Sequence, residues 1–107
     1  MNSLQGLYEV VKHRRENYQD DSYTCYLFEK GIDKILKKCG EECAELIIAA
    51  KNNDKQEIKN EAADLIYHML VLLVDRGVQW SEIEEILEER RAKIGNLKNF
   101  HIVDKDS

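Results

Sequence analysis

Lys37-Lys38-Cys39-Gly40-Glu41-Glu42-Cys43-Ala44-Glu45, taken together with Glu61-Ala62-Ala63-Asp64, decides the architecture of this chain. Each segment sets two carboxylates three residues apart, and on a helix that spacing brings both side chains onto one face. Lys51-Asn52-Asn53-Asp54, between them, is polar and rich in turn formers. The pattern predicts a helical hairpin with its bend near residues 52 and 53. Glu45 and Glu61 are equidistant from that bend, as are Glu42 and Asp64. In an antiparallel pair such residues share a height.

Rotation points the same way. At roughly 100° per residue, Ile32, Ile35, Leu36, Cys39, Cys43, Leu46, Ile47 and Ala50 form an apolar stripe on the first helix. Glu42 and Glu45 lie roughly 60° and 120° to one side of its centre. Ile58, Ala62, Leu65, Ile66, Met69, Leu72 and Leu73 form the stripe of the second helix, with Glu61 and Asp64 offset in the same sense. Four carboxylates are therefore expected to converge. They would repel one another without a cation, and a hard divalent ion such as Mg²⁺ prefers oxygen ligands while keeping waters for a phosphate-bearing substrate. The competing reading is a solvated charged face, since the chain carries 21 acidic residues.

The same segments resemble a family. Glu41-Glu42-x-x-Glu45 followed by Glu61-x-x-Asp64 is similar to the signature of the all-α, MazG-like nucleoside-triphosphate pyrophosphohydrolases. Ser22-Tyr23-Thr24, Phe28-Glu29-Lys30-Gly31, Ala49-Ala50-Lys51 and Leu65-Ile66-Tyr67-His68 narrow the resemblance to the phosphoribosyl-ATP pyrophosphatases of histidine biosynthesis, over about residues 4 to 95. The resemblance implies Mg²⁺-dependent hydrolysis of phosphoribosyl-ATP at the α–β bond, giving phosphoribosyl-AMP and pyrophosphate. It implies Glu42, Glu45, Glu61 and Asp64 as metal ligands, and a place near the substrate for Ser22-Tyr23-Thr24. Glu41 is the candidate for orienting or deprotonating the attacking water. One rival is a house-cleaning pyrophosphatase of nucleoside triphosphates; another is a non-enzymatic helical interaction module.

One hundred and seven residues make a single domain with a limited core. A net charge of −5 argues against a nucleic-acid surface, which needs a basic stripe. With neither a signal peptide nor a bilayer-length apolar run, a cytosolic protein without membrane contact is expected. Cys39 and Cys43 then read as reduced core residues. The glycine signatures of nucleotide-binding loops are absent, as is any nucleophilic serine or cysteine constellation, leaving direct attack by water.

The absence of proline and the abundance of Leu, Ile, Glu and Lys favour an all-α antiparallel bundle of four to five helices. Ser3 is expected to cap a first helix reaching about Asn17, whose basic end at Lys12 to Arg15 suits the helix dipole or could bind phosphate. Tyr23 to Phe28 reads as a short helical turn. The metal-bearing helix runs from about Gly31 to Ala50, and mid-helix Gly40 could permit close backbone approach or leave room for a ligand. Asp54 with Glu57 and Ser81 with Glu84 read as capping boxes. The last helix runs to about Ile94, with Ile83, Ile86, Leu87 and Ile94 inward and a loosely held tail from Gly95.

Lys34 and Lys38 share the flank of Glu42 and Glu45. Lys38 could pair with Glu42 or hold a substrate phosphate. Arg90 and Arg91 could clamp a phosphate or compensate the helix dipole. His68, one turn after Asp64, could orient a ligand carboxylate or be structural. Leu65 to Val74 is apolar almost all round, which predicts a two-fold homodimer through Tyr67, Leu70, Val71 and Val74.

Overall fold

Polar turn segments and one glycine divide the chain into five helices in a computed structural model that describes residues 3–95. They are α1 (Ser3–Glu16), α2 (Tyr23–Lys30), α3 (Ile32–Lys51), α4 (Lys55–Arg76) and α5 (Trp80–Ile94). Among the described residues there is no strand, and no helix is long and apolar enough to cross a membrane. The tail expectation, beyond Gly95, lies outside the described residues.

The expected hairpin is α3 and α4, which pack along each other, and its bend falls at Asn52 to Asp54. Asn53 takes the left-handed conformation at φ 53°. Its N–H donates to the Ala50 carbonyl (3.0 Å) and the Asp54 N–H to that of Ala49 (3.1 Å), the paired closing bonds of a Schellman stop. Asp54 then starts α4 at once, its carboxylate accepting from the Glu57 N–H at 3.2 Å. At the other end Gly77, at φ 74°, closes α4 with the same two bonds, to Val74 and Leu73.

Gly31 ends α2 and precedes α3 in a single step, at φ 94° and ψ −174°. Side-chain residues rarely adopt that backbone, so the glycine of the Glu-Lys-Gly sequence is a conformational requirement. Ser22 caps α2, its hydroxyl accepting from the Cys25 N–H at 3.1 Å. The expected short turn is thereby extended into a helix of two turns.

Val11, Leu27, Ile35 and Val71, one from each of the first four helices, form one core cluster. Tyr8, Leu70 and Trp80 form a second that anchors α5 against α1 and α4. Burial of Trp80 sets the start of α5. Its box is Gln79 and Glu82, whose carboxylate accepts from the Gln79 N–H at 3.1 Å, in place of Ser81 and Glu84. Beyond that anchor α5 is largely exposed: Ile83 packs inward, whereas Ile86, Leu87 and Ile94 do not. The start of α1 is likewise earlier than expected, since Ser3 is already helical.

Two packing expectations are corrected. The buried line of α3 is Ile35, Glu42 and Ala49, at steps of seven residues. Leu36, Cys43, Ile47 and Ala50, expected within the hairpin, are exposed. On α4, Leu70 and Val71 are both 0% exposed within one chain, and Tyr67 and Val74 are partly buried. These residues are covered by α1, α2 and α5, so they are not an open association face.

Candidate active site on the helical hairpin

Glu42 occupies a core position, and the site is built around that fact. The residue is 6% exposed, on the line between Ile35 and Ala49 where an apolar residue would normally sit. One oxygen, Oε1, lies 3.7 Å from Lys38 Nζ one turn earlier. The other, Oε2, is buried without a hydrogen-bond partner, as is Oε2 of Glu61. Buried polar atoms are nearly always paired, and an unmet one costs about 1–3 kcal/mol.

The hairpin brings Glu45 and Glu61 to the same place. Glu42, Glu45 and Glu61 each present an oxygen within 4.8 Å of the others. Ionised carboxylates only accept, so they satisfy one another only by holding a proton or a cation. The protonated form shows the strain directly. A single proton on Glu61 can be shared with Glu45 first and Glu42 second, and this sharing, with burial and the negative charge of both neighbours, pushes its pKa up to about 7. The donor set is all oxygen and fits a hard cation.

Asp64 departs from the expectation. It is exposed, and its carboxylate is not among the gathered oxygens. Glu42 is buried on the line of Ile35 and Ala49, whereas Asp64, at the same count from the bend, is exposed. The Asp64 backbone carbonyl instead accepts from His68 Nδ1 at 2.8 Å. In the neutral imidazole that bond puts the proton on Nδ1, so Nε2 accepts from the Tyr23 hydroxyl at 3.0 Å. His68 is therefore buried as a tie between α4 and α2, bonded to a backbone oxygen and not to a ligand carboxylate. Thr24 Oγ1 and the Tyr67 hydroxyl form a second tie of 2.5 Å beside it.

Lys38 stands over the cluster. Burial works to lower its pKa, but Tyr23, Glu41, Glu42 and Glu45 outweigh burial and raise it, so the ammonium stays charged. Lys34 is partly buried one turn before it, and Glu41 is exposed beside it. Arg90 and Arg91 are not brought to this site. Both are exposed near the end of α5, which packs on α1, and Arg91 pairs with Glu88 on its own helix. The basic end of α1 is also turned elsewhere: Arg15 pairs with Asp75 at 2.8 Å and lies over the Phe28 ring. Towards the bend, a groove of about 370 Å³ opens between Glu45, Ile48, Asp54, Glu57 and Glu61. The burial of Glu42 was legible in the seven-residue spacing of Ile35, Glu42 and Ala49; the bond between Tyr23 and His68 had no local signal.

Residues 4–91 match the phosphoribosyl-ATP pyrophosphohydrolase family. A phosphoribosyl-ATP pyrophosphatase of Clostridium novyi (strain NT) is 53% identical over 95 residues, covering 89% of this chain and 86% of the relative. One from Listeria welshimeri is 51% identical over 102 residues (95% and 98%), and one from Streptococcus gordonii is 47% identical over 102 residues (95% and 98%). With a matching family across most of its length and relatives near half identity, the chain belongs to the phosphoribosyl-ATP pyrophosphohydrolase family.

Proposed function

We infer that this protein hydrolyses phosphoribosyl-ATP to phosphoribosyl-AMP and pyrophosphate, an early step of histidine biosynthesis, with Mg²⁺ as its cation and in the cytosol. The observation that carries the cation is the cluster of Glu42, Glu45 and Glu61, with two buried oxygens that have no partner. Those three residues would hold the ion, and Asp64 would complete the set by swinging its exposed side chain inward. When bound, Mg²⁺ supplies charge neutralisation on the phosphate chain and a lowered pKa for bound water.

The chain's own groups account for the remaining work. Lys38 and Lys34 bind phosphate oxygens beside the cluster. Glu41 orients the water and takes its proton as oxygen attacks phosphorus; the α–β bridge breaks and pyrophosphate leaves. His68, through the Asp64 carbonyl and the Tyr23 hydroxyl, fixes α4 against α2 so that the carboxylates and the aromatic segment keep their spacing. Arg90 and Arg91 would reach a substrate here only from a second copy.

That second copy has a fitting surface. Leu36, Gly40, Cys43, Ile47 and Ala50 form one exposed line along α3, with Ile47 at 63% exposure. A homodimer through this line would cover it and replace the α4 face expected from sequence. The deciding assay is pyrophosphate release from phosphoribosyl-ATP beside a panel of nucleoside triphosphates, with and without Mg²⁺. Preferential turnover of phosphoribosyl-ATP is expected. Equal or faster turnover of ordinary or damaged triphosphates would replace this reading by a house-cleaning one, and no release from any of them would favour an interaction module.

A further inference from the structure

Two large aromatic rings are exposed on α2, the helix that Tyr23 and His68 tie to the hairpin. Tyr23 is 46% exposed and Tyr26 39% exposed, although Cys25 and Leu27 on the same helix are buried. The rings stack, with centroids 6.0 Å apart and planes 25° from parallel. Tyr67, partly buried, backs Tyr23 at 6.2 Å and 29°. The Tyr23 hydroxyl is tied to His68, which holds that ring in place. Lys30 Nζ lies 5.8 Å from the Tyr26 ring centre, a second constraint. The result is a short, braced aromatic shelf and not a pair of loose surface side chains.

The shelf adjoins the phosphate end of the site. The Tyr23 hydroxyl bonds His68 Nε2 at 3.0 Å, and His68 Nδ1 bonds the Asp64 carbonyl at 2.8 Å, so the ring is tied to α4 within about a turn of Glu61. In a nucleotide only the ribose separates the base from the α-phosphate, the phosphate at which cleavage occurs. A base must therefore lie close to the cluster. The side towards the bend is lined by Ile48, Ala49, Asp54 and Glu57 and offers no ring. The α2 side offers two.

We propose that Tyr23 and Tyr26 form the platform on which the purine of the substrate stacks, so that the nucleotide lies with its phosphates at Glu42, Glu45 and Glu61 and its base over α2. This deepens the proposed function and rests on the carboxylate cluster as the phosphate end. Aromatic side chains that stack on a base contribute enough that removing one weakens binding by roughly tenfold. A stacked base makes the same contact before and during cleavage, so the loss falls on KM more than on kcat.

Tyr26 is the residue to test, because it is exposed and its removal leaves the tie between Tyr23 and His68 intact. In the full-length protein, pyrophosphate release from phosphoribosyl-ATP is followed for the parent, Tyr26→Leu and Tyr26→Phe, together with inhibition by inorganic tripolyphosphate, which carries the phosphates without a base. Tyr26→Leu is expected to raise KM roughly tenfold with a smaller change in kcat, and to leave the inhibition constant of tripolyphosphate in place. Tyr26→Phe keeps the ring and restores KM. An unmoved KM in Tyr26→Leu overturns the platform, as does a tripolyphosphate constant that rises in step with KM. A parent that releases no pyrophosphate from phosphoribosyl-ATP overturns the hydrolytic reading itself, and the platform with it.

Discussion

Lys38 Nζ and Glu42 Oε1 face each other at 3.7 Å across one turn of α3, and this single ammonium is the only cation paired with the buried carboxylate among the described residues. One positive charge stands against three gathered glutamates. Without a metal ion the fold therefore carries an electrostatic load at its seam. Glu61→Gln replaces one of the acceptors by an amide that can donate to Glu45 or Glu42. In chelator-treated protein this variant is expected to melt a few degrees above the parent while losing its response to added Mg²⁺. Differential scanning calorimetry with and without Mg²⁺ reads both effects. A metal-free variant that melts well below the parent would mean that Glu61 is a structural acceptor.

The same load sets a pH dependence. The Glu61 carboxyl is raised from 4.5 to about 7, through shared hydrogen bonds with Glu45 and Glu42 first, then burial and their charge. The folded state thus keeps a proton that the unfolded chain gives up near 4.5. Between those values the folded state binds more protons, so stability of the metal-free protein falls as pH rises through this window. Melting temperatures between pH 5 and 8 should decline in the chelated parent, and decline less in Glu61→Gln. A flat parent profile would contradict the shared proton.

Glu45 and Glu41 are neighbours of the same site with different expected losses. Glu45 is one of the three gathered ligands, so Glu45→Gln should lose activity through weakened Mg²⁺ binding, and raising Mg²⁺ should restore part of the rate. Glu41 is exposed and outside the gathered set. If it orients and deprotonates water, Glu41→Gln lowers kcat by roughly 10²–10⁴-fold with little change in Mg²⁺ dependence. Rate measurements across an Mg²⁺ titration separate the two; rescue of Glu41→Gln by Mg²⁺ would make it a ligand instead.

The hairpin was legible because its signals are local. Asn52-Asn53-Asp54 is a stop, a left-handed turn and a start in three residues, and counting from it places Glu45 opposite Glu61. Periodicity could not say which part of a broad stripe is covered. The stripe on α3 holds two lines, Ile35 to Ala49 and Leu36 to Ala50, and only the first meets α4 and its neighbours in one chain. Glu42 lies on that first line and Asp64 does not lie on its counterpart, which is why three of four expected ligands assemble. Trp80 moved the start of α5 by burial against Tyr8 and Leu70, a contact spanning some seventy residues that capping chemistry at Ser81 does not register.

Exposure of the second line makes association testable. Ile47 and Ile48 are 63% and 60% exposed on α3, and the two reading frames of the stripe assign only Ile47 to the line with Leu36. Ile47→Lys is therefore expected to shift the protein from dimer to monomer in light scattering at micromolar concentration. Leu70→Ala instead opens a cavity in the core and should lower stability by about 2–5 kcal/mol, with no separate effect on association. A parent that is monomeric at the same concentration removes the α3 interface.

Gly40 gives the sharper test of that interface. It lies between Leu36 and Cys43 on the exposed line, and a methyl group built there would meet nothing within 4 Å in one chain. A glycine inside a helix costs about 1 kcal/mol relative to alanine, so within a lone chain Gly40→Ala should only stabilise. If a second helix packs over this line, the added methyl group stands where the partner's backbone approaches, and association weakens. The two effects have opposite signs and different concentration dependence. At low concentration, where monomers dominate, the variant should melt higher by about 4 °C. At high concentration the parent gains from mass action and the difference should shrink or reverse. Melting curves over a hundredfold range of protein concentration measure this. A variant that melts higher by the same amount throughout would show that nothing packs on Gly40, and the homodimer would have to use another face.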